Sequence, residues 1–229
     1  MHFPTLVVDN FFDNPQQIID CSQKLEFKNL PDKRWAGLRT DKIHEVNYDL
    51  FDYVTKKIMS LLFPHDSKNM IWQTEMYFSK TNPQDTKYPD WAHKDSGAEF
   101  TAIMYLSDHS CGTNICHFKK SLQLINDVSA QFDYYRNPTN DIPNSKKEID
   151  SKFEDTISVK GRFNRLLIFD GSSWHRQQKF TKEDFKSGKD RLMLIAFFHE
   201  VTKQGGTGRV LFPITEMKRF YCIKNFLKT

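Results

Sequence analysis

The sequence predicts a mainly β chain with flanking helices, a jelly roll faced by helices from its N-terminal part. Three observations predict it. Aromatic residues make up 14% of the 229 positions, with 20 Phe, and flat rings fit the pleated, half-buried surface of a strand. Helical spacing comes early in the chain. Beyond Pro64 short period-two runs dominate, separated by turn signals, the pattern of a sandwich or barrel.

Taken in order, Phe3 to Val8 alternates as a strand. Asn14 is placed to cap a helix with Pro15 at its first position, and Ile18, Ile19, Cys21 and Leu25 give that helix an apolar face. Arg34 to Thr40 reads as a loop. Val46, Leu50, Val54, Ile58 and Leu61 or Leu62 recur at helical spacing, which predicts one helix over about His44 to Leu62. Strands are expected at Ile71 to Phe78, Trp91 to Asp95, Phe100 to Leu106, Thr113 to Phe118, Thr156 to Val159, Arg165 to Asp170 and Arg191 to His199. A polar loop separates the first two of these, over Ser79 to Asp90. Ser121 to Tyr135 returns to helical spacing, and Asn137 to Lys147 is a Pro/Asn-rich loop. These assignments give one domain over 1–229: N-terminal support over 1–69, a core over 70–201 with a helical insert at about 119–154, and a tail over 202–229.

Composition narrows the class. The net charge of +4 is spread along the chain, so a nucleic-acid partner is not indicated. No run of about 18 apolar residues exists to span a membrane, and the first eight residues do not read as a secretion signal. Cys21, Cys111, Cys116 and Cys222 form no C-x-x-C pair. Cys111 and Cys116 with His117 match no common zinc spacing, and small buried apolar cysteines are the simpler reading. A reducing cytoplasm is the expected compartment.

The chemistry gathers at few residues. In Trp91-Ala92-His93-Lys94-Asp95, positions 93 and 95 share one face of a strand. His175 follows the apolar run Leu166 to Phe169 and the turn Asp170-Gly171-Ser172-Ser173. It can turn inward over a cavity, whereas His2, His44, His65 and His109 read as surface residues. Two imidazoles and one carboxylate make the facial triad of non-haem Fe(II) oxygenases. Three ligands on one side leave positions for a bidentate 2-oxo acid and for O2. Arg191 opens a strand of Leu, Met, Ile and Phe. Burying it demands an anion, and the distal carboxylate of 2-oxoglutarate would suit a two-pronged guanidinium contact. Exposure at the strand start, with Asp190 or Glu183 as partner, is the alternative for Arg191. Lys179 and Lys182 are other cations for that carboxylate.

The order His93-x-Asp95, His175, Arg191 resembles the Fe(II)/2-oxoglutarate-dependent dioxygenases, nearest to their prolyl-4-hydroxylase-like branch. The flanks Phe100-Thr101-Ala102-Ile103-Met104-Tyr105-Leu106-Ser107 and Asn164-Arg165-Leu166-Leu167-Ile168-Phe169-Asp170 resemble it too. Val7 to Phe12, Asn14-Pro15 and Gly37-Leu38-Arg39-Thr40 look like an uncharacterised bacterial and phage subfamily. The resemblance implies a double-stranded β-helix, with Fe(II), 2-oxoglutarate and O2 as cofactors and co-substrate. It implies decarboxylation to succinate, coupled to hydroxylation or demethylation of a small-molecule or peptide substrate. It implies that Tyr77 donates a hydrogen bond to 2-oxoglutarate, and that Asp95 excludes the halogenase variant. By position, Arg34, Trp35 and Arg39 become substrate-side residues. Two other readings stand beside this one: a jelly-roll binding or structural protein with a vestigial metal site, and a cupin-type metal enzyme that does not use 2-oxoglutarate.

Overall fold

A computed structural model describes residues 3–29, 37–65, 67–84, 92–95, 97–119 and 151–203. The expected helix at Ser121 to Tyr135, the loop that follows it, most of the expected tail, and Arg34, Trp35, Trp91 and Cys222 lie outside these residues.

The strands are β1 (Leu6–Val8), β2 (Lys28–Asn29), β3 (Leu38–Arg39), β4 (Met70–Thr81), β5 (Phe100–Tyr105), β6 (Thr113–Phe118), β7 (Phe153–Val159), β8 (Arg165–Asp170), β9 (Trp174–Gln177) and β10 (Arg191–Lys203). They form a seven-stranded sheet in the order β1-β8-β5-β10-β4-β3-β2 and a three-stranded sheet in the order β7-β6-β9. Every pairing is antiparallel. This is a double-stranded β-helix. Among the described residues no helix is long and apolar enough to cross a membrane.

The large sheet is apolar on both faces, which explains why its central strands read as continuous hydrophobic runs. Ala102, Met104, Leu166, Ile168, Leu194, Ala196 and Phe198 face one way. They meet Ile18 of helix α1 (Pro15–Gln23) and Leu50, Val54, Ile58 and Met59 of helix α3 (Tyr48–Leu62). Ile103, Tyr105, Leu167, Phe169, Met193 and Ile195 face the other way, towards Ile115 and Val159 of the small sheet. Side chains alternate along a strand, so one set anchors the helices while the other lines the space between the sheets.

Several expectations are corrected. The helix expected over His44 to Leu62 is two helices, α2 (Ile43–Val46) and α3, because Asn47 is extended (φ −155°) and its side chain accepts the Leu50 N–H as an N-cap. Asn14 makes no such side-chain bond, although Pro15 does open α1. The loop expected over Arg34 to Thr40 contains β3, held by pairing with β4. β4 runs on to Thr81 because Ser79 and Thr81 are buried. β1 starts at Leu6, β7 starts at Phe153, and β10 continues to Lys203 past an irregularity after His199. His109, expected at the surface, is 4% exposed and bonds through Nε2 to the Lys189 carbonyl at 3.0 Å.

Candidate metal and 2-oxo-acid site

His93, Asp95 and His175 converge. One ligand atom from each lies within 4.8 Å of the others, and no other such group of His, Cys, Asp and Glu occurs among the described residues. Asp95 stands between the imidazoles: Oδ1 is 3.7 Å from His93 Nε2 and Oδ2 is 3.5 Å from His175 Nε2. The carboxylate is 7% exposed, the His175 side chain 6% and that of His93 22%.

Local backbone bonds place the three. His93 is not in the strand expected over Trp91 to Asp95. It makes one isolated bridge to His175, each N–H donating to the other's carbonyl at 2.8 and 2.9 Å. His175 is not a loop residue either. It sits in β9, opposite Ile115 of β6. The Asp95 N–H donates to the Gly171 carbonyl at 3.0 Å, and the Asp95 carbonyl accepts from Ala98. Gly171 must be glycine, since a Cβ there would lie 2.2 Å from the Ala98 carbonyl oxygen. The turn carrying Gly171 is fixed by buried Asp170, which accepts from the Ser172 and Phe3 N–H groups.

The donor chemistry fits a divalent cation. His175 Nδ1 lies 3.0 Å from the Ser173 carbonyl. A carbonyl only accepts, so Nδ1 carries the proton and Nε2 keeps its lone pair. That lone pair faces a carboxylate oxygen, an arrangement that favours a cation between them.

Between the sheets Ile103, Ile115, Phe169, Met193 and Ile195 form an apolar cluster with Tyr105, whose ring faces Arg191. This residue is 2% exposed, not paired at the surface with Asp190 or Glu183. Its Nε donates to the Cys111 carbonyl at 3.0 Å, Nη1 to Gln177 Oε1 at 2.8 Å and Nη2 to the Gly112 carbonyl at 3.4 Å. The guanidinium lies 5.4 Å from the centre of the Tyr105 ring. Among the described residues no carboxylate neutralises it. Three of its five N–H groups are used by these acceptors. Lys179 and Lys182 are exposed. Gln177 is two residues beyond His175 on β9, so about 6–7 Å of strand separates the triad from a partner of Arg191.

Tyr105 and Gln177 beside Arg191, and Thr113 bonded to Tyr105, are residues that sequence reasoning missed. Tyr105 Oη is 2.8 Å from Thr113 Oγ1, and burial pushes its phenol up. Period two could have found Tyr105, because it shares a face with Thr101 and Ile103. Cys111, Cys116 and His117 form no site: Cys111 Sγ donates to the Gln178 carbonyl, Cys116 packs with Ala92 and Phe153, and His117 is exposed.

Tyr77 lies on β4, opposite Ile195 of β10. Its hydroxyl donates to Glu75 Oε2 at 3.0 Å. Burial and then the Glu75 carboxylate push its phenol well above the usual range, so it remains a neutral donor at working pH. The Arg39 guanidinium is 5.8 Å from the Tyr77 ring centre. The structure therefore groups Arg39 with Tyr77 and Glu75, whereas Arg34 and Trp35 lie outside the described residues.

Solved structures share this fold at low identity. HygX from Streptomyces hygroscopicus, with nickel and 2-oxoglutarate bound, aligns with TM-score 0.52 and 11% identity over 85% of this chain and 82% of its own. The non-heme alpha-ketoglutarate-dependent epimerase SnoN of nogalamycin biosynthesis aligns with TM-score 0.52 and 13% identity, over 86% and 78%. The carbocyclase SnoK of the same biosynthesis gives 0.51 and 12%, over 88% and 82%. No match was found among curated proteins. Residues 2–198 match the model of the family described as "Family of unknown function (DUF6445)", and the chain belongs to that family.

Proposed function

We propose that this chain is an Fe(II)- and 2-oxoglutarate-dependent dioxygenase of the prolyl-4-hydroxylase-like branch. The observation that carries the reading is Arg191, a buried cation with no acid beside it among the described residues, whose partner Gln177 lies two residues along β9 from His175 of the His-Asp-His cluster. An uncompensated buried charge is costly. A dicarboxylate ligand gives it a counter-charge and at the same time reaches the metal. The likeness to HygX, whose structure holds nickel and 2-oxoglutarate, supports the same pairing.

In this reading His93 Nε2, Asp95 and His175 Nε2 hold Fe(II), and Arg191 takes the distal carboxylate of 2-oxoglutarate. The bound iron supplies the redox centre at which O2 oxidises 2-oxoglutarate to succinate and CO2 and a C–H bond of the substrate is oxidised. The chain's own residues do the positioning. Ser173 holds the His175 ring through Nδ1. Ile103, Ile115, Phe169 and Ile195 exclude water between the two binding points, which strengthens the charge contacts inside. Tyr77 is a neutral donor on the same face of the large sheet. By sequence position Arg39, with Arg34 and Trp35 of the preceding segment, is assigned to the substrate side. The substrate is a small molecule or peptide, and the outcome is hydroxylation or demethylation.

A binding protein with a vestigial site has no use for an unneutralised Arg191, and a cupin-type enzyme without a 2-oxo acid leaves it equally unexplained. The test is an anaerobic titration of the apo protein with Fe(II) and then 2-oxoglutarate. A visible charge-transfer band is expected only with both present, followed by succinate formation on admitting O2. His93→Ala should lose the iron and the band. If that variant binds Fe(II) as tightly as the parent, the site assignment fails.

A further inference from the structure

We infer that Thr101 is a positioning residue of the metal site, and that its hydroxyl, rather than its bulk, holds Asp95 ready for the ion. The inference rests on the metal reading above. Thr101 Oγ1 donates to Asp95 Oδ2 at 2.5 Å, and the residue is 1% exposed. It stands in the middle of the large sheet, paired with Phe197 of β10 on one side and Phe169 of β8 on the other. Its backbone is therefore held by ladders on both sides.

The surroundings make the hydroxyl conspicuous. The same face of β5 carries Ile103 and Tyr105, and the neighbouring strands present Phe169 and Phe197. If Thr101 only filled space there, valine would fill it without a buried hydroxyl to satisfy. Among the described residues the Thr101 hydroxyl has Asp95 as its one hydrogen-bond partner. In turn, Asp95 lies on a segment whose backbone is tied at its N–H to Gly171 and at its carbonyl to Ala98. Those bonds fix the Cα and leave the side-chain torsions free. Thr101 is what fixes them. It bonds to Oδ2, the oxygen that also faces His175, and with it Oδ1 faces His93. A carboxylate oriented before the metal arrives loses less conformational freedom on binding, and partners of ligands commonly set 10–100-fold in metal affinity.

The test is Co(II) titration of the apo protein, read by the visible absorption of the bound ion, with the apo melting temperature recorded for each variant. Thr101→Val is expected to weaken Co(II) about 10–100-fold, and Thr101→Ser to stay near the parent. In an Asp95→Ala background Thr101→Val should change nothing further, because Thr101 acts through Asp95. Thr101→Ala replaces the valine variant if that one does not fold. The inference is overturned if the valine or alanine variant binds Co(II) like the parent, if serine is as weak as valine, or if the loss persists without Asp95. An Asp95→Ala protein that binds Co(II) as well as the parent overturns the metal reading itself. That result is visible before any Thr101 variant is made.

Discussion

Arg191 makes a directional demand that a lysine cannot meet. Its guanidinium is shared between the Cys111 and Gly112 carbonyls and the Gln177 amide, which spreads the donors over a fixed plane. Gly112 can approach only because it has no Cβ; one there would sit 1.9 Å from the Val159 carbonyl oxygen. Arg191→Lys keeps the charge and loses the fork. Hydrogen bonds to charged groups are worth about 1.5–3 kcal/mol, so 2-oxoglutarate should bind roughly 10–100-fold more weakly. Fe(II) affinity should be unchanged, because Arg191 touches none of the triad. Titrating the charge-transfer band with 2-oxoglutarate measures the first, and a metal titration without it measures the second. Unchanged 2-oxoglutarate affinity would remove Arg191 from the role.

The elements that carry the site are clamped at their ends, and Asn164 shows how. It opens β8 in a left-handed conformation (φ 58°), which Asn tolerates better than most residues. Its side chain accepts the Phe12 N–H and donates to the Phe12 carbonyl, both at 2.8 Å. Asn164→Ala leaves both of these buried backbone groups unpaired. At roughly 1–3 kcal/mol for each unsatisfied group, the loss should be about 2–5 kcal/mol, read from urea unfolding. A loss under about 0.5 kcal/mol, the scale of ordinary surface changes, would show that the clamp is not needed. Such ends were hard to read beforehand. The central strands were legible because Phe100 to Tyr105 and Arg165 to Asp170 are apolar on both faces, and no alternative burial competes. β9 was missed because Trp174-His175-Arg176-Gln177 is mostly polar and is a strand only through its pairing with β6. β2 and β3, two residues each, exist only as additions to β4. Helix α4 (Lys182–Ser187) carries its signal in the sequence: Thr181 and Asp184 form a capping box, and Gly188 ends the helix at φ 60°. Likewise the triad could be picked from the residue types, while the partners of Arg191 are two carbonyls of the Cys111-Gly112 segment before β6 and the side-chain amide of Gln177 in β9.

At the scale of the whole molecule, the two proposed ligands bind across the two sheets. His175 and Gln177 belong to the small sheet, Thr101 and Arg191 to the large one. A ligand that joins them should therefore stabilise the fold as a unit rather than one segment. Binding to the native state alone adds about 2.7 kcal/mol at a ligand concentration one hundred times its dissociation constant. For a chain of this size each kcal/mol raises the melting temperature by about 2–4 °C, so Fe(II), and then 2-oxoglutarate added to the iron-loaded protein, should each contribute about 5–10 °C. The order should matter. Fe(II) alone should raise the melting temperature, and 2-oxoglutarate alone should do little, because its 2-oxo-acid end lacks the ion it chelates. Together they should exceed the sum of the separate effects. Anaerobic calorimetry or a melt followed by circular dichroism measures all four states. Arg191→Lys should keep the rise with Fe(II) and lose most of the further rise with 2-oxoglutarate, whereas His93→Ala should lose both. Equal rises with 2-oxoglutarate whether or not the metal is present would mean that the acid binds somewhere other than between Arg191 and the triad.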